Sequence, residues 1–243
     1  MKIAVFDCAM GIAGDMAIGA LVDAGMPFRL LGSELRKLRL RGYRLGVRTV
    51  HAGAFRAKKF SVNLQHQKSH AHVCLRDIVT LIQTSALHPR IKRSAVAIFR
   101  SLARAEARVH GVSLQKIHFH EVGAVDSILD IVGVAVCFHH LEIQRAYVRR
   151  IVVGQGVHAG CAHGEMPIPV PGTYELLKGF WIDQGPYEQE MVTPTGAAIL
   201  ATLCCKDTEK IPRIKFDAIG YGAGDRKFKG KRGFLRVGIG AGR

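Results

Sequence analysis

The sequence has no long apolar run. Its longest, Ile131 to Phe138, falls far short of the ~20 residues a membrane-spanning helix needs. The amino terminus, MKIAVFDC, reaches Asp7 after a four-residue apolar stretch, too short for the ~7–15-residue core of a secretory signal. A cytoplasmic protein without membrane contact is expected. The six cysteines, Cys8, Cys74, Cys137, Cys161, Cys204 and Cys205, form no CxxC pair. That argues against a zinc ribbon, and their mostly apolar neighbours suit buried, reduced thiols. Acids are scarce, 19 against 35 Lys and Arg, for a net charge of +16. Such a field attracts polyanions and phosphorylated ligands. Aromatics are only 7%, however, and no RRM, helix-turn-helix or zinc-finger pattern accompanies the charge. It is therefore read as solvated surface rather than a nucleic-acid face. GxxxxGK[ST], GxSxG and HExxH are absent, and GQGVHAG at 154–160 misses the GxGxxG spacing, so P-loop, hydrolase and dinucleotide readings lose most of their support.

What is present is globular: 48% hydrophobic and 22% charged residues over 243 positions, enough for one α/β core with an inserted module. Lys2 to Phe6 reads as a strand, GIAGD as a turn, and Asp15 to Ala24 as a helix. A second helix follows Ser33. GYRLGVRTV and KFSVNL alternate around Gly53, predicting a hairpin over 42–64 and a β-α-β-β start. Leu75 to Gly111 reads as helical, with Ser94 a cap and Gly111 a stop, which makes 73–111 an inserted helical module. Ala124 to Leu141 is a further helix and Tyr147 to Val153 a buried strand. Pro167, Pro169 and Pro171 set an extended stretch before a helix in GTYELLKG. Thr193 caps a helix that Pro194 begins. The tail is expected to alternate short strands with glycine turns. The fold class is α/β, mixed α+β.

Chemistry concentrates at HFHEVGAVD, 118–126. In an extended segment His118 and His120 face one side, half of a metal site. Asp126 and Asp130 share a helix face, which a turn at Glu121 to Gly123 would fold over them. Glu121 and Asp126 are the candidates for acid/base work. The alternative is that the histidines are held by backbone partners and Asp126 lies on a surface helix. His66, His70, His72 and Asp77 form a second group, and His158 with His163 a third; a polar loop accounts for SHAH as well as a ligand role does. Imidazole suits Zn, Cu, Fe and Ni. The loop bearing Asp7, Gly11, Gly14 and Asp15 joins a strand to a helix, so its free amides could hold an anion and its carboxylates a cation. Thr193, Thr195 and Gly196 offer a second helix amino end for phosphate. Tight turns and plain capping explain both loops as well.

Taken together, FDCAMGIAGDM, VHGVSLQKIHFHEVGAVDSILDIVG, HGEMPIPVPGTYELLKG, MVTPTGAAIL and IGYGAGDR resemble, in order, the signature segments of the LarC family of nickel insertion proteins. The resemblance implies a nickel chelatase or cyclometallase of the lyase class. It would insert Ni(II) into pyridinium-3,5-bisthiocarboxylic acid mononucleotide, using CTP with Mg(II) or Mn(II). It gives the histidine handle a metal, nickel; the ligands expected from the residues themselves are His118, His120, His70, His72 and His163. It also implies that 1–243 is the amino-terminal part, with CTP bound by a carboxy-terminal partner domain or chain. A homo-oligomer is compatible with the sequence. A metal-dependent hydrolase acting on a phosphorylated small molecule and a basic nucleic-acid-binding protein are the rival readings.

Overall fold

The computed structural model describes residues 1–65, 73–119, 124–161, 164–207 and 211–242, apart from the side chains of residues 118, 159–161 and 231. In chain order the elements are β1 (Lys2–Cys8), α1 (Gly14–Asp23), α2 (Phe28–Arg36), β2 (Tyr43–Ala52), β3 (Phe55–Leu64), β4 (Val73–Cys74), α3 (Leu75–Thr84), α4 (Pro89–His110), β5 (His118–Phe119) and α5 (Val125–His140). There follow β6 (Arg145–Val153), β7 (Val157–Cys161), β8 (Gly164–Pro167), α6 (Pro171–Leu176), β9 (Asp183–Gln184), α7 (Pro194–Leu203), β10 (Cys204–Cys205), β11 (Ile214–Phe228) and β12 (Lys231–Gly242). Among the described residues one mixed sheet runs β10-β6-β1-β12-β11-β3-β2, with β9 also paired to β6. β1 lies parallel to β6 and antiparallel to β12, and β11 runs antiparallel to β12 and parallel to β3.

Alternation along β1 explains the layering. Ala4, Phe6 and Cys8 turn toward the helices, while Ile3 and Val5 pack with Tyr147 on the opposite face. All the α-helices lie on the first side and share one apolar core with β1, β6 and β12. The predicted helical module joins that core: Ile98, Phe99 and Leu102 of α4 are fully buried in it. Its helix ends in Gly111 at φ 64°, as expected, but begins earlier than Ser94 suggests. Pro89 opens it, and His88 Nδ1 accepts the Arg90 N–H at 3.2 Å. Ser94 sits inside the helix because Ile91 already belongs to its buried face.

The tail differs more from expectation. It is not short strands with glycine turns but two long strands, of 15 and 12 residues, that pair along most of their length. Gly220, Gly222 and Gly224 lie within β11 at period two and face α1. A Cβ on Gly220 would lie 2.0 Å from the Ala20 carbonyl oxygen, and one on Gly224 3.0 Å from Met16 Sδ. The glycines are there for close approach of a helix, not for chain reversal.

Candidate functional site

A cleft of about 920 Å³ opens where α1, α5 and α7 begin and where β3 and β11 run past them. Its walls include Asp15, Lys59, Asp126, Asp130, Thr195 and Asp225. Local sequence explains each position. Gly14 opens α1 against α5, where a Cβ would lie 2.6 Å from Asp130 Cβ. Asp126 and Asp130 are one turn apart on α5, as their spacing requires. Thr193 caps α7: its Oγ1 accepts the Gly196 N–H at 3.2 Å and lies 2.8 Å from Thr195 Oγ1.

Lys59, on β3, is 3% exposed. Its Nζ lies 3.1 Å from Asp15 Oδ2 and 2.6 Å from Asp225 Oδ2, so one buried ammonium serves two carboxylates from different elements. Arg226 donates to the Glu190 backbone carbonyl and, at 2.8 Å, to Glu190 Oε2. Burial pushes the Asp15 carboxyl above its ordinary range, and Lys59 opposes the shift. The Asp130 carboxyl is pushed up much further, by burial first and then by the neighbouring Asp15 and Asp126 charges. The floor of the cleft therefore favours a proton or a cation, while Asp126 at its mouth is exposed to solvent.

Four amides of the strand-to-helix loop and the first turn of α1 are engaged within the protein. The Gly11 N–H reaches the Cys8 carbonyl at 2.9 Å and the Ile12 N–H the Met191 carbonyl at 3.0 Å. The Asp15 N–H goes to Asp130 and the Met16 N–H to Asp15 Oδ1. Gly11, at φ +80°, packs where a Cβ would lie 1.9 Å from the Met191 carbonyl oxygen. Asp7 is ion-paired with Arg236 of β12 rather than placed among the residues lining the cleft. Of that loop, Gly14 and Asp15 line the cleft. Of the second loop, Thr193 and Thr195 line it, while Gly196 packs its Cα against Ile12. Sequence reasoning missed Lys59, Glu190, Arg226 and exposed Arg48, all of which line the same cleft. Only Arg226 carried a signal, within the GAGDR segment.

His66, His70, His72, His120, Glu121 and His163 lie outside the described residues, and of His118 only the backbone is described. Two of the three histidine segments nonetheless meet at their described ends. β4 pairs with β5, Val73 opposite Phe119 and Cys74 opposite His118. Asp77 accepts from Cys74 Sγ at 2.9 Å, and His158 lies on β7 opposite Met166. Among the described residues no group of three or more His, Cys, Asp or Glu side chains is arranged to hold a metal ion. None of their helices is long and apolar enough to cross a membrane.

Comparison with known proteins matches the chain to a sequence family and its members, whereas no solved structure matches it. The chain is 42% identical over 248 residues to the pyridinium-3,5-bisthiocarboxylic acid mononucleotide nickel insertion protein of Geobacillus kaustophilus, covering 99% of this chain and 60% of that one. It is 44% identical over 224 residues to the protein of the same name from Desulfitobacterium hafniense, covering 92% of this chain and 55% of that one. The chain thus spans somewhat over half the length of these relatives. The family described as nickel insertion protein matches residues 4–242, from the first strand of the sheet to the end of the last. Every wall of the cleft lies inside that match, and the chain belongs to the nickel insertion protein family.

Proposed function

We propose that this protein takes part in inserting nickel into pyridinium-3,5-bisthiocarboxylic acid mononucleotide, in the cytoplasm, and that the 920 Å³ cleft holds the nucleotide. The observation that carries this reading is the convergence of three helix amino ends and a buried Lys59 on one polar cleft in a chain of this family. The substrate's phosphate would sit at the start of α7, on Thr193, Thr195 and the Gly196 turn, where the helix end favours negative charge. Arg48 at the rim adds charge attraction.

Carbon 4 of a 3,5-disubstituted pyridinium carries a hydrogen, so a nickel–carbon bond formed there releases a proton. Asp126, exposed at the mouth of the cleft, would take it, with Glu121 as the second candidate base. Nickel is cargo. His118, His120, His70, His72 and His163 would carry it before the softer thiocarboxylate sulfurs take it over. Pairing of β4 with β5 supports this by joining the described ends of two of those segments. CTP, with Mg(II) or Mn(II), we assign to a partner domain or chain. The decisive experiment incubates the chain with Ni(II) and the nucleotide, with and without the relatives' remaining segment and CTP, and weighs the product by mass spectrometry. Nickelated nucleotide that disappears in a folded His118→Ala/His120→Ala variant bears the proposal out. Full product from that variant refutes the histidine handle, and no product under any condition refutes the function.

A further inference from the structure

A second cleft, of about 390 Å³, lies between α4 and α7 on the outer side of the helical layer. Three arginines of α4, Arg93, Arg100 and Arg104, line it. Spacings of seven and four residues put them on one helix face, and all three are exposed. Among the described residues no ion pair is seen for any of them and no carboxylate lines the cleft. Three like charges on one helix face with no acid beside them attract an external anion. Where the cleft meets α7, Thr202 Oγ1 is buried without a hydrogen-bond partner. A buried hydroxyl left unsatisfied is unusual enough to point to a missing acceptor or donor. Ser101 and Gln83 add further polar groups.

We propose that this cleft binds an oligophosphate, a chain of two or three phosphoryl groups, independently of the larger cleft. Its volume is within the ~300–1,000 Å³ of small-molecule sites and too small for a docked helix. Among the described residues no aromatic ring lines it, which removes the stacking platform that single-stranded nucleic acid needs. Its apolar walls among the described residues are Val96, Ala97 and Ala201, too small a surface to anchor a peptide side chain. Guanidinium forks match phosphate oxygens two at a time, and successive phosphates along the chain can each meet one arginine. Rotation of the Thr202 side chain would turn its buried hydroxyl toward the cleft, where it donates its hydrogen to a phosphate oxygen.

The test is calorimetry of the full chain with inorganic tripolyphosphate and orthophosphate as probes. Tripolyphosphate should bind at least tenfold more tightly than orthophosphate. Arg100→Gln with Arg104→Gln should weaken it at least tenfold, and Thr202→Val about threefold to tenfold, with unchanged thermal unfolding. Arg213→Gln with Lys215→Gln, which removes the same charge elsewhere, should leave binding intact, as should Thr195→Val in the larger cleft. Equal weakening by the distant pair would mean a response to net charge alone and overturn the proposal. Loss of binding in Thr195→Val would place the anion in the larger cleft and overturn it likewise. So would an RNA oligonucleotide that displaces tripolyphosphate with affinity growing with its length.

Discussion

Gly222 on β11 and Met16 on α1 approach so closely that a Cβ on the glycine would lie 1.9 Å from the Met16 carbonyl oxygen. This contact seats α1 on the sheet, and Asp15, one residue away, is held toward Lys59 by the same seating. Gly222→Ala must therefore lift the helix or bend the strand. Overpacking of this kind should cost about 3 kcal/mol, or a fall in Tm of roughly 6–12 °C for a chain of this size. Thermal unfolding followed by circular dichroism decides it; an unchanged Tm would mean that α1 rides freely over β11.

Lys59→Met should destabilise the protein by about 3–5 kcal/mol, the range for breaking a buried pair on one side, because Asp15 keeps its place without its cation. The double variant Lys59→Met/Asp15→Asn should recover part of that loss. Urea unfolding of the single and double variants gives the coupling directly. Additive losses would show that the two side chains do not act together.

The Asp130 carboxyl, raised well above its ordinary range, gives a pH signature. Below the ordinary value both folded and unfolded chains hold its proton, and this group adds no slope. Above it the unfolded chain releases the proton and the folded chain keeps it, so stability falls as pH rises toward the folded value. Asp130→Asn keeps a carbonyl oxygen for the Asp15 N–H and removes the titration. The variant should match the parent near pH 4 and exceed it at pH 7.5, by about 1.4 kcal/mol for each unit by which the fold raises the pKa. Urea midpoints at both pH values measure this; a variant less stable than the parent at pH 7.5 would contradict it.

Thr193→Ala removes the cap of α7 and the partner of Thr195, and should cost about 1 kcal/mol. It should also weaken binding of the nucleotide that we propose for the larger cleft, whereas Thr193→Ser, which keeps the oxygen, should preserve both properties. Calorimetry with the nucleotide separates capping from ligand contact. Normal affinity in a destabilised Thr193→Ala protein would leave the hydroxyl a capping role only.

Much of the fold could be read in the sequence because local rules and packing agree there. The hairpin of β2 and β3, the stop at Gly111 and the cap at Thr193 all follow from turn and cap chemistry. The tail could not be read because a glycine carries no sign of whether it bends a chain or admits a neighbour. Gly220 and Gly222 serve the second purpose, which depends on a helix about two hundred residues earlier. In the cleft, Asp126 and the Thr193 loop announced themselves through helix starts. Lys59 did not: in a basic chain one more lysine in an alternating strand looks like a solvent-facing residue until the fold buries it. The surroundings of Asp7 could not be read either, since its partner Arg236 comes from the far end of the sequence.

The backbone link between the two loops has a kinetic consequence. Ile12 gives its N–H to Met191 and its carbonyl to the Thr193 N–H, so the approaches to α1 and α7 are stitched residue to residue. Neither loop can open without breaking the other's hydrogen bonds. The amides of Ile12 and Thr193 should therefore exchange with solvent as one cooperative unit. A phosphate gripped at the start of α7 would slow exchange at Ile12 as well, so occupancy at one wall of the cleft is felt at the other without any side chain moving.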